Sequence, residues 1–348
     1  MKTVLRFLTL MVIVLCLQSQ LTAGPTPIRA VIVTMFEQGA ATGDTPGELQ
    51  LWVERENLDQ TLPFPMGIRP LHLNEETGVL AICTGMGIAN ATASIMALGV
   101  DERFDLTKAY WIVAGIAGID PENASLGSAA WAEWIIDGDL LYEIDAREIP
   151  EDWPYGIVPI GGKTPNDLAG SWTVKNAVFR LNPGLVEWAY RQSRDSAIED
   201  RESIAAFRRN FEGYPEAVKP PKVLKGDHIA ASTYWHGELL NEWANDWVML
   251  YTDGRGEFVT SAMEDTGTLV ALTRLSQAGK VDRDRVLVLR TGSNYTMQPP
   301  DETAAWSTTA PYPEGGYPAK LAAWKAGSAV LDALLAGWDT YQHQIPAP

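Results

Sequence analysis

Val79-Leu80-Ala81-Ile82-Cys83, followed by Thr84-Gly85-Met86-Gly87 and then by Ile88 through Val100, is the stretch that decides the fold. Five consecutive apolar residues are too few for a helix and suit a strand covered on both faces. Two glycines within the next four residues turn the chain. Beyond them Ala91, Ile95 and Leu98 recur at the three-to-four spacing of a helix with one buried face. The same alternation continues along the chain. Ala30–Met35, Tyr110–Val113, Ala129–Ile136, His228–Ala231, Trp247–Tyr251 and Arg285–Arg290 read as further strands. Pro183–Arg194, Glu238–Trp247, Met263–Gln277 and Tyr317–Trp338 read as helices. Strands alternating with helices predict an α/β fold, a central sheet at least partly parallel and flanked by helices. The Pro/Gly-rich stretch Pro154–Gly170 and the basic, proline-containing stretch Tyr214–Lys225 read as long surface loops, so residues 24–348 are expected to form one domain.

The 348 residues are 46% hydrophobic and 20% charged, with 27 basic against 44 acidic side chains. A net charge of −17 argues against a binder of DNA, RNA or anionic membrane, each of which needs a dominant basic surface. The longest apolar run, Phe7–Leu17, is broken by Thr9 and falls short of the ~20 residues of a membrane span. Lys2 and Arg6 precede it, and the polar segment Gln18–Ala23 ends small. That is the grammar of a secretory signal peptide over residues 1–23, which predicts a mature protein in the periplasm or the medium. Cys16 leaves with the signal, so Cys83, inside its apolar run, has no disulfide partner and reads as a buried small hydrophobe.

In open α/β sheets, ligands bind beyond the C-terminal ends of the strands. The segments at those places are Phe36-Glu37-Gln38-Gly39, Thr84–Gly87, Ala114-Gly115-Ile116-Ala117-Gly118, Ser232-Thr233-Tyr234-Trp235-His236, Ser261-Ala262-Met263-Glu264 and Thr291-Gly292-Ser293-Asn294-Tyr295. They bring glycines, carboxylates, an amide and aromatic faces to one rim, which suits an aromatic, hydroxyl-rich small molecule. Each also has a plain structural reading. Thr84–Gly87 is either a cradle of N–H groups or a tight turn. Glu264 is either a ligand or the far end of a capping box begun by Ser261. Glu37 and Asn294 are either site groups or turn residues, and His236 is either a rim group or structural. The dinucleotide fingerprint, the Gly-Lys-Ser/Thr loop, the Gly-x-Ser-x-Gly elbow and zinc-ligand spacings are all absent from the sequence, so no cofactor or metal is expected.

Several segments together resemble the purine nucleoside permease family: Thr34-Met35-Phe36-Glu37, Pro46-Gly47-Glu48-Leu49-Gln50-Leu51-Trp52, Thr84–Gly87, Ala114–Pro121, Tyr234-Trp235-His236-Gly237, Met263-Glu264-Asp265-Thr266-Gly267 and Arg290–Tyr295. More distantly they resemble the nucleoside phosphorylase and nucleosidase superfamily. The resemblance implies a mixed central sheet flanked by helices, a homo-oligomer and a purine nucleoside as ligand. It implies that Met263 and Glu264 hold the ribose hydroxyls and that Asn294 lies beside the purine. Glu37 would activate water, Tyr234 and Trp235 would meet the base, and Gly85, Met86, Gly115 and Gly118 would line the sugar. Two departures bear on the reaction. The first loop carries no arginine, and Ile116 stands where phosphorylases place a phosphate-binding hydroxyl, so water is expected as the nucleophile. Asn294, at a position where the superfamily has Asp or Asn, cannot transfer a proton as an Asp could. The expected activity is hydrolysis of the N-glycosidic bond in support of uptake. The alternatives are phosphorolysis, or binding alone in service of a separate membrane transporter.

Overall fold

The computed structural model describes residues 24–171 and 177–348; the expected signal peptide over residues 1–23 lies outside them. Strand β1 (Ala30–Thr34) lies at the centre of a twelve-stranded mixed sheet. It runs parallel to β3 (Val79–Cys83) on one side and to β4 (Tyr110–Ile119) on the other. Beyond β3 lies antiparallel β2 (Leu71–Asn74). Beyond β4 lie β7 (Phe258–Ala262), β6 (Asp227–Ala230) and β5 (Trp134–Asp137). Strand β8 (Val286–Tyr295) pairs in parallel with β4 along its length. The valines, leucines and isoleucines of β1, β3 and β8 and, in β4, Ile112, Val113 and Ile119 are fully buried, which is why these strands read as continuous apolar runs.

Helices cover the sheet: α1 (Gln50–Arg55), α2 (Ile88–Gly99), α3 (Pro183–Ser193), α4 (Glu238–Tyr251), α5 (Asp265–Gln277) and α6 (Tyr317–Ala336). Helices α2 and α5 pack at closest range where Gly267 faces Ile88; a Cβ there would fall 2.3 Å from the Ile88 carbonyl oxygen. That contact brings the two helix starts together, and with them the loops after β3 and β7. Among the described residues, no helix is long and apolar enough to cross a membrane.

Three expectations are corrected. Trp247–Tyr251 is not a strand but the last part of α4, whose Trp243, Ala244, Trp247, Val248 and Tyr251 form one buried helical face. The missing strand is β7, in which Thr260 and Ser261 interrupt the apolar pattern. Residues 114–118 and 291–295 are not loops: they are the second halves of β4 and β8. The register shifts between Gly292 and Asn294, and such a bulge re-aims the side chains at a strand end.

Candidate active site

Beyond these strand ends lies a buried charged cluster. Glu264 immediately precedes α5 and is 4% exposed. Its Oε1 accepts from the Gly87 N–H at 3.3 Å, and its Oε2 accepts from the Met263 N–H and from Arg290 Nη2, both at 3.1 Å. Ser261 lies within β7 and the helix starts only at Asp265, so the capping box does not form. Burial raises the Glu264 carboxyl above its ordinary range, opposed by Arg290.

Arg290, on β8, is 1% exposed. It gives a bidentate fork to Asp265, Nε to Oδ1 at 3.1 Å and Nη2 to Oδ2 at 2.6 Å. Its Nη1 donates to the Ile116 carbonyl at 3.2 Å. The Ile116 N–H donates to a third carboxylate, Glu48 Oε1, at 2.7 Å, while the Met35 N–H donates to Glu48 Oε2 at 2.7 Å. Glu48 is 5% exposed. Burial pushes its carboxyl up to about 7; Arg290 and the two N–H groups oppose this and Glu264 adds to it. Each Glu48 oxygen keeps a lone pair beyond its backbone bond.

Glu37 is engaged differently. Its Oε1 accepts from the Gly47 and Gln38 N–H groups, and its Oε2 from the Gln50 N–H at 2.7 Å. It ties the loop after β1 to the start of α1, and so places Glu48. Lys320 of α6 clasps the same loop, donating to the Pro46 carbonyl at 2.9 Å and to the Gly315 carbonyl at 3.1 Å.

Gly115 lies behind Glu48 in β4. A Cβ there would fall 2.1 Å from Met35 Cε, 2.5 Å from Glu48 Oε1 and 2.8 Å from Arg290 Nη1. Gly115→Ala is expected to cost about 1–3 kcal/mol through overpacking, seen as a lowered calorimetric Tm. An unchanged Tm would show that the approach is not tight. Gly118 lies beside Asn294, whose Nδ2 would be 3.4 Å from a Cβ at that glycine.

Asn294 donates through Nδ2 to the Tyr234 hydroxyl at 2.9 Å and to the Tyr295 carbonyl at 3.1 Å. The Tyr234 hydroxyl also lies 3.3 Å from that of Tyr312. Trp235 turns away: it packs against Trp243 at 5.5 Å and Phe258 at 6.0 Å between ring centroids, within an aromatic cluster. Gly85 and exposed Met86 sit at the start of α2, next to Gly87. The structure therefore gathers Gly85, Met86, Met263 and Glu264 at one end, and Tyr234, Asn294 and Gly118 at another. Sequence reasoning assigned no role to Glu48, Arg290, Asp265, Tyr312 or Lys320, although the first three fall within the motifs quoted for the resemblance.

The profile of the family described as purine nucleoside permease (NUP) matches residues 27–346. A Candida albicans "Purine nucleoside permease" is 29% identical over 320 residues, covering 89% of this chain and 76% of the relative. The "Probable purine nucleoside permease" of Schizosaccharomyces pombe is 32% identical over 232 residues, covering 65% of this chain and 66% of the relative. Thus this chain spans about two thirds of the length of the S. pombe relative. Among solved structures, a 5′-methylthioadenosine/S-adenosylhomocysteine nucleosidase of Streptococcus pneumoniae, with a transition-state inhibitor, has a TM-score of 0.52 at 15% identity, covering 88% of this chain and 99% of that one. The Colwellia psychrerythraea nucleosidase in complex with adenine has a TM-score of 0.51 at 14% identity, covering 88% and 96%. The fold is that of the nucleoside phosphorylases and nucleosidases, with the mixed sheet flanked by helices that the resemblance implied. By the profile match across nearly all of its length, the chain belongs to the purine nucleoside permease family.

Proposed function

We propose that this protein is an exported purine nucleoside-binding protein that hydrolyses the N-glycosidic bond and so serves nucleoside uptake. The observation that carries this reading is the placement of Glu48, a buried carboxylate whose two oxygens each accept one backbone N–H and keep a lone pair for water; burial pushes its carboxyl up to about 7. A base is most effective when its proton affinity matches the working pH. Glu264 accepts the ribose hydroxyls, as an acceptor-only carboxylate can. Asn294, whose two amide hydrogens go to the Tyr234 hydroxyl and the Tyr295 carbonyl, exchanges the Tyr234 bond for one to the departing purine. Water bonds to C1′ as the C1′–N bond breaks, the purine leaves with the bonding pair and takes a proton from solvent, and Glu48 takes the proton of the water. Glu48 thus fills the role first expected of Glu37, whose oxygens already accept three backbone N–H groups.

Electrostatics favour water over phosphate. Glu37, Glu48 and Glu264 are all buried here, and the nearby cations, Arg290, Lys320 and Arg69, are committed to carboxylates and carbonyls. An incoming dianion would meet repulsion. The same reading makes the protein a homo-oligomer, supported by the exposed apolar side chains Ile68 and Met86 beside Gly85.

Incubation with inosine or adenosine, with and without phosphate, tests the reaction. Free ribose without phosphate is expected; ribose 1-phosphate formed only with phosphate would overturn hydrolysis. Asn294, which carries no transferable proton, favours a second reading: a receptor that hands nucleosides to a separate membrane transporter. Calorimetric binding without turnover would select it.

A further inference from the structure

Beside the residues assigned to the reaction lies a second tier of buried polar groups. Asp265 is fully buried, and its Oδ2 faces Arg290 Nη2 at 2.6 Å and His228 Nε2 at 2.9 Å. His228 is also fully buried, and its Nδ1 lies 2.9 Å from the Thr260 hydroxyl. The chain of contacts runs Thr260, His228, Asp265, Arg290, Glu264. Arg290 spends its fork on Asp265, and its ion pairs among the described residues are with Asp265 and Glu264; it acts on Glu48 through space.

We infer that Asp265 and His228 are positioning residues: they anchor the Arg290 fork beside Glu264 and withhold it from Glu48, so that each Glu48 oxygen, bonded to one backbone N–H, stays open to water. This rests on the reading of Glu48 as the base. The other charged or titratable groups that interact with Glu48 come from different elements: Glu264 before α5, Lys320 on α6 and the Cys83 thiol on β3. The near-neutral carboxyl of Glu48 and the strongly acidic one of Asp265, held ionised by Arg290 and His228, agree with this division.

The test is Asp265→Asn, which removes one negative charge and frees the guanidinium. Both changes act in one direction on Glu48. Its titration, followed by 13C NMR of labelled glutamate and aspartate carboxyls, is expected to move down by about one to three pH units. The acid limb of kcat/KM for inosine is expected to move with it, a shift that loosened packing alone does not produce. A Glu48 midpoint unchanged in a folded Asp265→Asn variant overturns the inference. If that variant does not fold, the unmodified protein still decides: Glu48 titrating near pH 7 while Asp265 stays ionised upholds it, and Glu48 in the ordinary carboxylate range overturns it. Failure of the unmodified protein to cleave inosine defeats the hydrolytic reading instead, while the carboxyl titration still reports on Asp265.

Discussion

Glu48→Gln is expected to lower inosine turnover by about 10²–10⁴-fold and to leave nucleoside binding nearly unchanged. The substitution keeps size and shape but cannot take a proton from water. The ribose contacts assigned to Glu264 are untouched, so calorimetric affinity and turnover should separate. Full turnover in the variant would remove Glu48 from the chemistry. The same carboxyl links activity to stability with opposite signs. Its folded value, about 7, lies above the ordinary 4.5, so the protonated form is favoured in the folded state. Its contribution to stability is complete below the unfolded value and is lost as pH rises through about 7, by about 3 kcal/mol at 1.36 kcal/mol per unit. Activity is gained over the same interval. In denaturant titrations the stability difference between Glu48→Gln and the unmodified protein should shift in favour of the variant from pH 4.5 to pH 7. A pH-independent difference would show that Glu48 titrates elsewhere.

Arg290→Met is expected to cost about 3–5 kcal/mol of folding stability. The guanidinium is 1% exposed and faces Glu264 and Asp265 within ion-pair distance. Methionine fills the space but leaves the carboxylates buried without their counter-charge. Arg290→Lys should recover only part of the loss, because an ammonium cannot reproduce the bidentate fork. Urea denaturation at neutral pH measures both variants; a loss below about 1 kcal/mol for Arg290→Met would show that the carboxyls take up protons instead.

The strand, turn and helix around Val79–Val100 were legible because one apolar run and one buried helical face follow each other without interruption. Trp247–Tyr251 was misread because five apolar residues in a row satisfy a strand and a buried helix face alike. Residues 114–118 looked like a loop because glycines usually break strands; here Gly115 leaves room for Glu48 and Arg290. Glu264 and Asn294 could be named from their motifs. Glu48 could not, because what sets it apart is burial by Met35 and Ile116, 13 and 68 residues away, and the field of Arg290. Spacing along a sequence carries charge but not depth.

The parallel pairing of β4 with β8 has a consequence for how the protein comes into being. The Arg290–Ile116 bond joins residues 174 apart, and the Gly87–Glu264 bond joins residues 177 apart. Contacts so distant demand long loop closures before they return any stability, and chains built on them fold slowly. The carboxylates, the guanidinium and the amide therefore assemble only after most of the polypeptide is available. A fragment ending before β8 would leave one long edge of β4 unpaired, an invitation to aggregate rather than a smaller working version of the protein.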